Sequence, residues 1–358
     1  MADLRAKAVL SKIADLQSRS SYIIDKMSNL SVPLGKGDSV QVGSLSDFTI
    51  SSAVDGSLVP QALSAQAPSM SALTLTADLE PAAAIRIGRM DNLQALDGGY
   101  LAANAETALL NLRASMDDAF ALYVIRSMAT ETTTTNLYHS NVAADSLVAD
   151  DIHNAIAQQL SQAGSDFNRL ALFLHPYAYA SMLSASDFVY NVNPQDDMLG
   201  PKRIGMFFGV PVYVSQSVPA ARTITTTAVS VTSNVASVTC ATAHGLAAGM
   251  KVTIAGITTP LSTAAAVSSI TSTTVFTVPL TACNGAMADG VGVVTVESCE
   301  NLLIDTGHAY VANSGLMPTV RIVPEPLYTS DILQVSAIWG RVGRLGRASV
   351  ICSPKASA

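Results

Sequence analysis

A continuously apolar run that halts at a proline constrains this chain more than any other feature. Arg169-Leu-Ala-Leu-Phe-Leu-His175-Pro176-Tyr-Ala-Tyr-Ala-Ser-Met-Leu183 is apolar without a break from Leu170 to Leu174, then resumes with helical spacing. A half-exposed strand would alternate, so this run predicts a strand buried on both faces. Pro176 suits the first turn of a following helix, where its missing N–H loses no intrahelical partner, and Tyr179 and Leu183 then share a face. After a loop from Ser184 to Lys202 with Asn193-Pro194 and Gly200-Pro201, two short apolar runs follow, Ile204 to Phe208 and Val210 to Val214, split by Gly209. Pro211 cannot donate to a ladder, which predicts an edge or first-strand position. The fold class expected is mixed α+β.

A length of 358 residues allows two or three domains, each with its own core. Charged residues make up 13% against 49% hydrophobic, a shortage of solvated surface that points to large subunit contacts. No run reaches the ~18 uninterrupted apolar residues of a membrane span, and Met1-Ala-Asp-Leu-Arg5 begins no secretory signal, so a cytoplasmic site of synthesis is expected. Cys240, Cys283, Cys299 and Cys352 have no metal-ligand spacing, which predicts reduced structural thiols. The net charge of −7 argues against a nucleic-acid reader, which needs a basic face. G-x-S-x-G, the P-loop and H-E-x-x-H are all missing and the histidines are scattered. No residue is singled out as catalytic, cofactor-binding or metal-ligating, and no enzyme is expected.

Ala2 to Arg19 has amphipathic helical spacing through Leu4, Val9, Ile13 and Leu16. Alternation then marks strands around Val40 and Val42, Leu73 to Leu79, and Ile85 and Ile87. Between them Ser44 to Ser71 is Ser-, Ala-, Gly- and Pro-rich and has little to bury. It reads as a long hairpin needing a partner surface, with a mobile surface loop as the alternative. The longest helical signal predicts about eight turns from Tyr100 to Met128, with Leu109, Leu110, Met116, Phe120 and Val124 on a wide apolar face and Asp117-Asp118 on the polar one. A second helix is predicted from Asp150 to Ala163, with Ile152, Ile156 and Leu160 inward and His153 at the surface. Thr223 to Val296 differs in kind: about a quarter is threonine and its only formal charges are Lys251 and Asp289. Short alternating runs there predict a small all-β sandwich or barrel, in which His244 is a turn residue with no companion at metal spacing. Glu300 onward resumes the interrupted domain. Gly340-Arg-Val-Gly343-Arg-Leu-Gly346-Arg347 has the wrong spacing for a dinucleotide fingerprint, and Arg341, Arg344 and Arg347 read as charges at a subunit contact, with a DNA-facing spot as the alternative.

A strand, then His175-Pro-Tyr-Ala-Tyr, a short helix, a long loop and Gly209-Val-Pro-Val-Tyr-Val-Ser215 resembles the major capsid protein of tailed bacteriophages, the Hong Kong-type coat fold. The resemblance covers most of the chain outside Thr223 to Val296. It implies an N-terminal arm (1–30), an extended β-hairpin loop with flanking strands (31–90), a long spine helix in a peripheral domain (91–135) and a central, axial domain begun at 136–222. An inserted all-β domain, Ig-like or a small barrel (223–296), would interrupt the central domain. Residues 297–340 would complete it, and 341–358 would close the peripheral domain.

The function so implied is structural: self-assembly into hexamers and pentamers of an icosahedral head enclosing double-stranded DNA. The location is the virion, after assembly in the host cytoplasm. Implied partners are further copies of the chain, a scaffolding protein, a portal protein and a decoration protein, with no membrane. An encapsulin-type nanocompartment shell and a fibre-like host-glycan adhesin are the alternatives. Because the resemblance starts almost at Met1, a separate scaffolding protein is expected. The loop from Gly37 to Met70 holds no lysine, so no covalent crosslinking is expected. The inserted block is expected to fold autonomously on the outer face, with Arg222 and Glu297 close together.

Overall fold

The computed structural model describes residues 23–30, 36–45, 70–88, 99–129, 139–140, 147, 149–161, 165–182, 188–190, 203–255, 265–280, 287–289, 292–312, 319–325 and 330–354. The helix expected within 2–19, the middle of the long hairpin and the threonine connector after Thr130 lie outside the described residues.

The expected buried strand forms as Leu170–Leu174, all five residues buried. It lies inside a seven-stranded sheet ordered His139–Ser140, Ala348–Pro354, Ser298–Asp305, Leu170–Leu174, Val210–Val214, Arg203–Phe207 and Phe188–Tyr190. Because strand side chains alternate between faces, Leu170, Leu172 and Leu174 point into one core with Ile152 and Ile156 of the helix Ala149–Ser161. Ala171 and Phe173 point into a second core with Leu109, Met116 and Phe120 of the long helix. The uninterrupted apolar run is what a sheet sandwiched between two cores requires.

Val210–Val214 runs parallel to Leu170–Leu174 and antiparallel to Arg203–Phe207. It is therefore an interior strand, which corrects the edge position inferred from Pro211. The proline is tolerated because the parallel ladder starts at Val212, one residue beyond it. The tight turn places Phe208 and Gly209 at φ +53° and +82°, both left-handed as a two-residue hairpin favours. Ala348–Pro354 also lies in this sheet, beside the strands of the expected central domain and away from the peripheral strands.

The long helix runs over Gly99–Tyr123 and ends in a π turn, Val124–Met128, so the predicted single α-helix changes type in its last five residues. Leu109, Leu112, Met116, Phe120 and Val124 are buried. Leu110 is exposed at 38%, a correction to the apolar face, since it sits about 100° around the helix from Leu109. Ser39–Leu45 pairs along its full length with Met70–Thr76, the root of the expected long hairpin. Leu75 docks that root into a small cluster with Val342. A further sheet joins Ala82–Gly88, Ser330–Ser336 and Thr319–Glu325.

Among the described residues of the threonine-rich block the only regular elements are strands. Arg222–Thr232 pairs first with Val293–Val296, then from Thr226 onward with Val235–Cys240, a pairing with a register break between Thr226 and Ala228, and from Val229 also with Met287–Asp289. One strand thus serves two sheets. Thr226 stabilises the break, its hydroxyl accepting from Gly292 N–H at 2.7 Å. Arg222 pairs with Val296, so the block leaves and rejoins the chain at one place.

Candidate assembly elements

Glu300 stands in Ser298–Asp305, a strand with every residue buried, and is itself 0% exposed. A carboxylate there persists only if fully paired. Arg222 pairs it with both arms of its fork, Nε donating to one oxygen at 2.7 Å and Nη2 to the other at 2.8 Å. The remaining donors of Arg222 meet the carbonyls of His244 and Gly245. His244 is buried. Its Nδ1 accepts from Leu246 N–H at 2.9 Å while Nε2 faces Ser272 O at 3.0 Å, a pattern that fits the neutral ring. Burial first, and the Arg222 charge to a lesser degree, lower its pKa.

Gly245, at φ +56°, lies on the end of the long helix, where an added Cβ would come 2.9 Å from Ile125 O. Leu246 and Ala247 share one continuous core with Ile125. The block is therefore packed against the end of the long helix and held there by a buried ion pair. The cause is the His244–Leu246 turn, whose apolar side chains lie against the helix end.

Asp117 corrects the polar-face reading of Asp117-Asp118: it is 1% exposed, while Asp118 is exposed. Its two carboxylate oxygens accept from Ile23 N–H at 3.0 Å and Ile24 N–H at 3.1 Å. These are orphan donors at the start of the 3-10 turn Ile24–Lys26. Burial pushes the carboxyl up to about 7, against the lowering effect of those two hydrogen bonds, with Asp25 and Asp118 adding to the rise. Arg113 reaches Asp25 at 3.7 Å. The carboxylate thus grips the chain where it arrives from its N-terminal segment.

Two of the three C-terminal arginines expected at a subunit contact are engaged internally. Arg341 lies 5.2 Å from the ring centroids of both Tyr123 and Trp339. Arg347 pairs with buried Asp305 at 3.6 Å, which also meets His308 Nδ1 at 2.9 Å. Arg344 is half-buried at the turn between them. His153, expected at the surface, is half-buried because its ring packs edge-on against Phe208 at 4.3 Å. Cys240, Cys299 and Cys352 are buried and in no disulfide among the described residues, and burial raises the Cys240 thiol to about 11.

The ion pair, Asp117 and Asp305 all escape a motif search, since their partners lie far off in sequence. One signal was present: Arg222 and Glu300 are charges standing just outside the two ends of a nearly charge-free block. Outward-facing candidates for assembly are Phe208, 59% exposed at its hairpin tip, and Val323, 45% exposed. Lys36 at the hairpin root pairs with Glu80 at 2.7 Å. Among the described residues no cluster of His, Cys, Asp or Glu could hold a metal, and no helix is long and apolar enough to cross a membrane.

No protein-family model matches the sequence, and no curated protein matches it. Solved structures do. The capsid of Ralstonia phage GP4 aligns at a TM-score of 0.54 and 10% identity, over 93% of this chain and 88% of that one. The capsid of cyanophage P-SCSP1u aligns at 0.50 and 12%, over 94% and 90%. The chain has the tailed-phage coat fold. Within this coat fold the central sheet, the long helix and the hairpin root share the buried face of Leu302, Ile304 and Val350 or the satellite core at Leu75.

Proposed function

We propose that this chain is the structural major capsid subunit of a tailed phage, assembling as hexamers and pentamers into an icosahedral head around double-stranded DNA, with no catalytic role. The coat fold extending over nearly the whole chain carries the reading. In it Gly99–Met128 is the spine helix, Ser39–Leu45 and Met70–Thr76 begin the extended loop, and 223–296 is an inserted domain. Residues 1–30 are assigned to the N-terminal arm, of which Ile23 and Ile24 donate to Asp117. The boundaries 1–30, 31–90, 91–135, 136–222, 223–296, 297–340 and 341–358 follow from this assignment. A scaffolding protein, a portal protein and a decoration protein are the partners it calls for, and the virion is its final location.

Electron microscopy of particles purified after co-expression with a scaffolding protein tests the proposal. Closed shells of one size support it. Unassembled chains under every condition overturn it, and shells filled with a cargo enzyme in place of DNA identify the encapsulin-type alternative.

A further inference from the structure

We infer that the outward face of Arg222–Thr232, Val235–Cys240, Val275–Pro279 and Ser269–Ile270 is a contact between two copies of this chain, made by a flat, charge-free hydroxyl ladder meeting its own counterpart. The inference rests on the shell reading above. Strand register aligns Ser230 with Ser237, Ser237 with Thr277, and Thr277 with Ser269, a row of hydroxyls across four strands. Thr232 and Thr239 share that face through the two-residue alternation. Inward neighbours such as Val229, Val238 and Phe276 fill the core, while Ser230, Thr232 and Ser269 are exposed. The ladder is held in place, with Thr277 Oγ1 lying 2.7 Å from Ser269 Oγ and 2.8 Å from Ser268 Oγ.

The chemistry of the face selects its occupant. It presents no aromatic ring for a sugar or base to stack on, no cation for phosphate, and, apart from Val235 at 40% exposed, no large apolar side chain for a lipid surface. What it presents is neutrality on a chain of net charge −7. Copies that repel through most of their surface can approach through a face without charge. Hydroxyls both donate and accept, so identical rows satisfy each other, as a two-fold contact requires. Four strands at ~4.8 Å spacing and three outward residues at ~6.8 Å make a patch of at most roughly 400 Å². A stable dimer needs about 800 Å² per partner, so the face cannot hold a free pair and contributes only where a lattice repeats it.

The test uses the full chain in assembled particles. Ser237→Cys particles, oxidised and run on a non-reducing gel, should show most chains as dimers. Wild-type particles and unassembled Ser237→Cys chains should run as single chains. Ser230→Glu alone should leave the urea midpoint of the unassembled chain unchanged while particles lose their resistance to heating. Two results together overturn the inference: single chains only from Ser237→Cys particles, and Glu-variant particles as heat-resistant as wild type. A second protein found shielding Ser237→Cys from maleimide in particles overturns it in favour of a decoration protein. Failure of the wild-type chain to form particles under any condition overturns the shell reading itself.

Discussion

Glu300 has no access to solvent, so its stability depends wholly on Arg222. Replacing Arg222 with alanine leaves a buried carboxylate and two buried carbonyls without their donor, and a broken buried pair costs about 3–5 kcal/mol. Arg222→Ala should therefore shift urea denaturation of the unassembled chain by that amount, whereas Arg222→Met combined with Glu300→Leu should recover most of it. Equal losses in the single and double variants would show that the pair contributes more than it costs to bury. Asp117 makes a different, pH-dependent demand. Its folded pKa is raised from 3.8 to about 7, so the folded chain binds the proton more tightly than the unfolded one. The stability this residue contributes is full below about pH 4 and is lost as pH rises through about 7. Asp117→Asn should flatten the stability profile between pH 4 and 7, as read by denaturation midpoints across that window. An unchanged slope would mean the group titrates at its ordinary value.

At the scale of elements, the end of the long helix is where the separate parts are joined. Its π turn, the Gly245 loop and the Gly343 corner all meet there: Gly343 N–H donates to Tyr123 Oη at 3.0 Å, and an added Cβ on Gly343 would collide with Met128. Gly245→Ala must place a Cβ against Ile125 backbone in a left-handed conformation that costs about 1–2 kcal/mol before any clash. It should lower the thermal midpoint more than Gly249→Ala, which also has positive φ but open space around it. Equal losses would show that the block does not press on the helix. Much at this scale was legible in the chain. The five-residue apolar strand, the Pro176 helix start and the alternation of the block are local patterns, and local patterns report local structure. Pro211 misled because the ladder it would break begins one residue later, a matter of register between strands some forty residues apart. Asp117 was illegible for the same reason, as its partners Ile23 and Ile24 are 94 and 93 residues away.

At the scale of the whole molecule, the hairpin rooted at Ser39–Leu45 holds no lysine between Gly37 and Met70, and Lys36 beside it already faces Glu80. Particles boiled in detergent should therefore release single chains, and a ladder of covalent multimers would contradict this. Removing 223–296 in favour of a Gly-Ser linker should do more than trim a surface knob. It strips the His244 and Gly245 carbonyls from Arg222 and uncovers Ile125, so deletion shells should disassemble at lower temperature than the parent. Identical melting would mean that the block is energetically separate from its host. The coat fold was legible from motif order alone, because order along the chain survives when identity falls to 10%. The clasp at the base of the block was not, since a lone arginine and a lone glutamate carry no spacing to read.

That clasp has a mechanical consequence. Arg222 and Val296 are the first rung of an antiparallel pair whose two free ends point the same way, and such a pair, when its ends are drawn apart, opens like a zipper, one rung after another. Arg222 is also bound to Glu300, just beyond the point where the chain returns. Any stretch of the central sheet that tends to separate the two ends must first rupture a bidentate ion pair shielded from water. In the shell proposed above, swelling under packed DNA would load this joint at every subunit, with the strongest single link standing where tearing would begin.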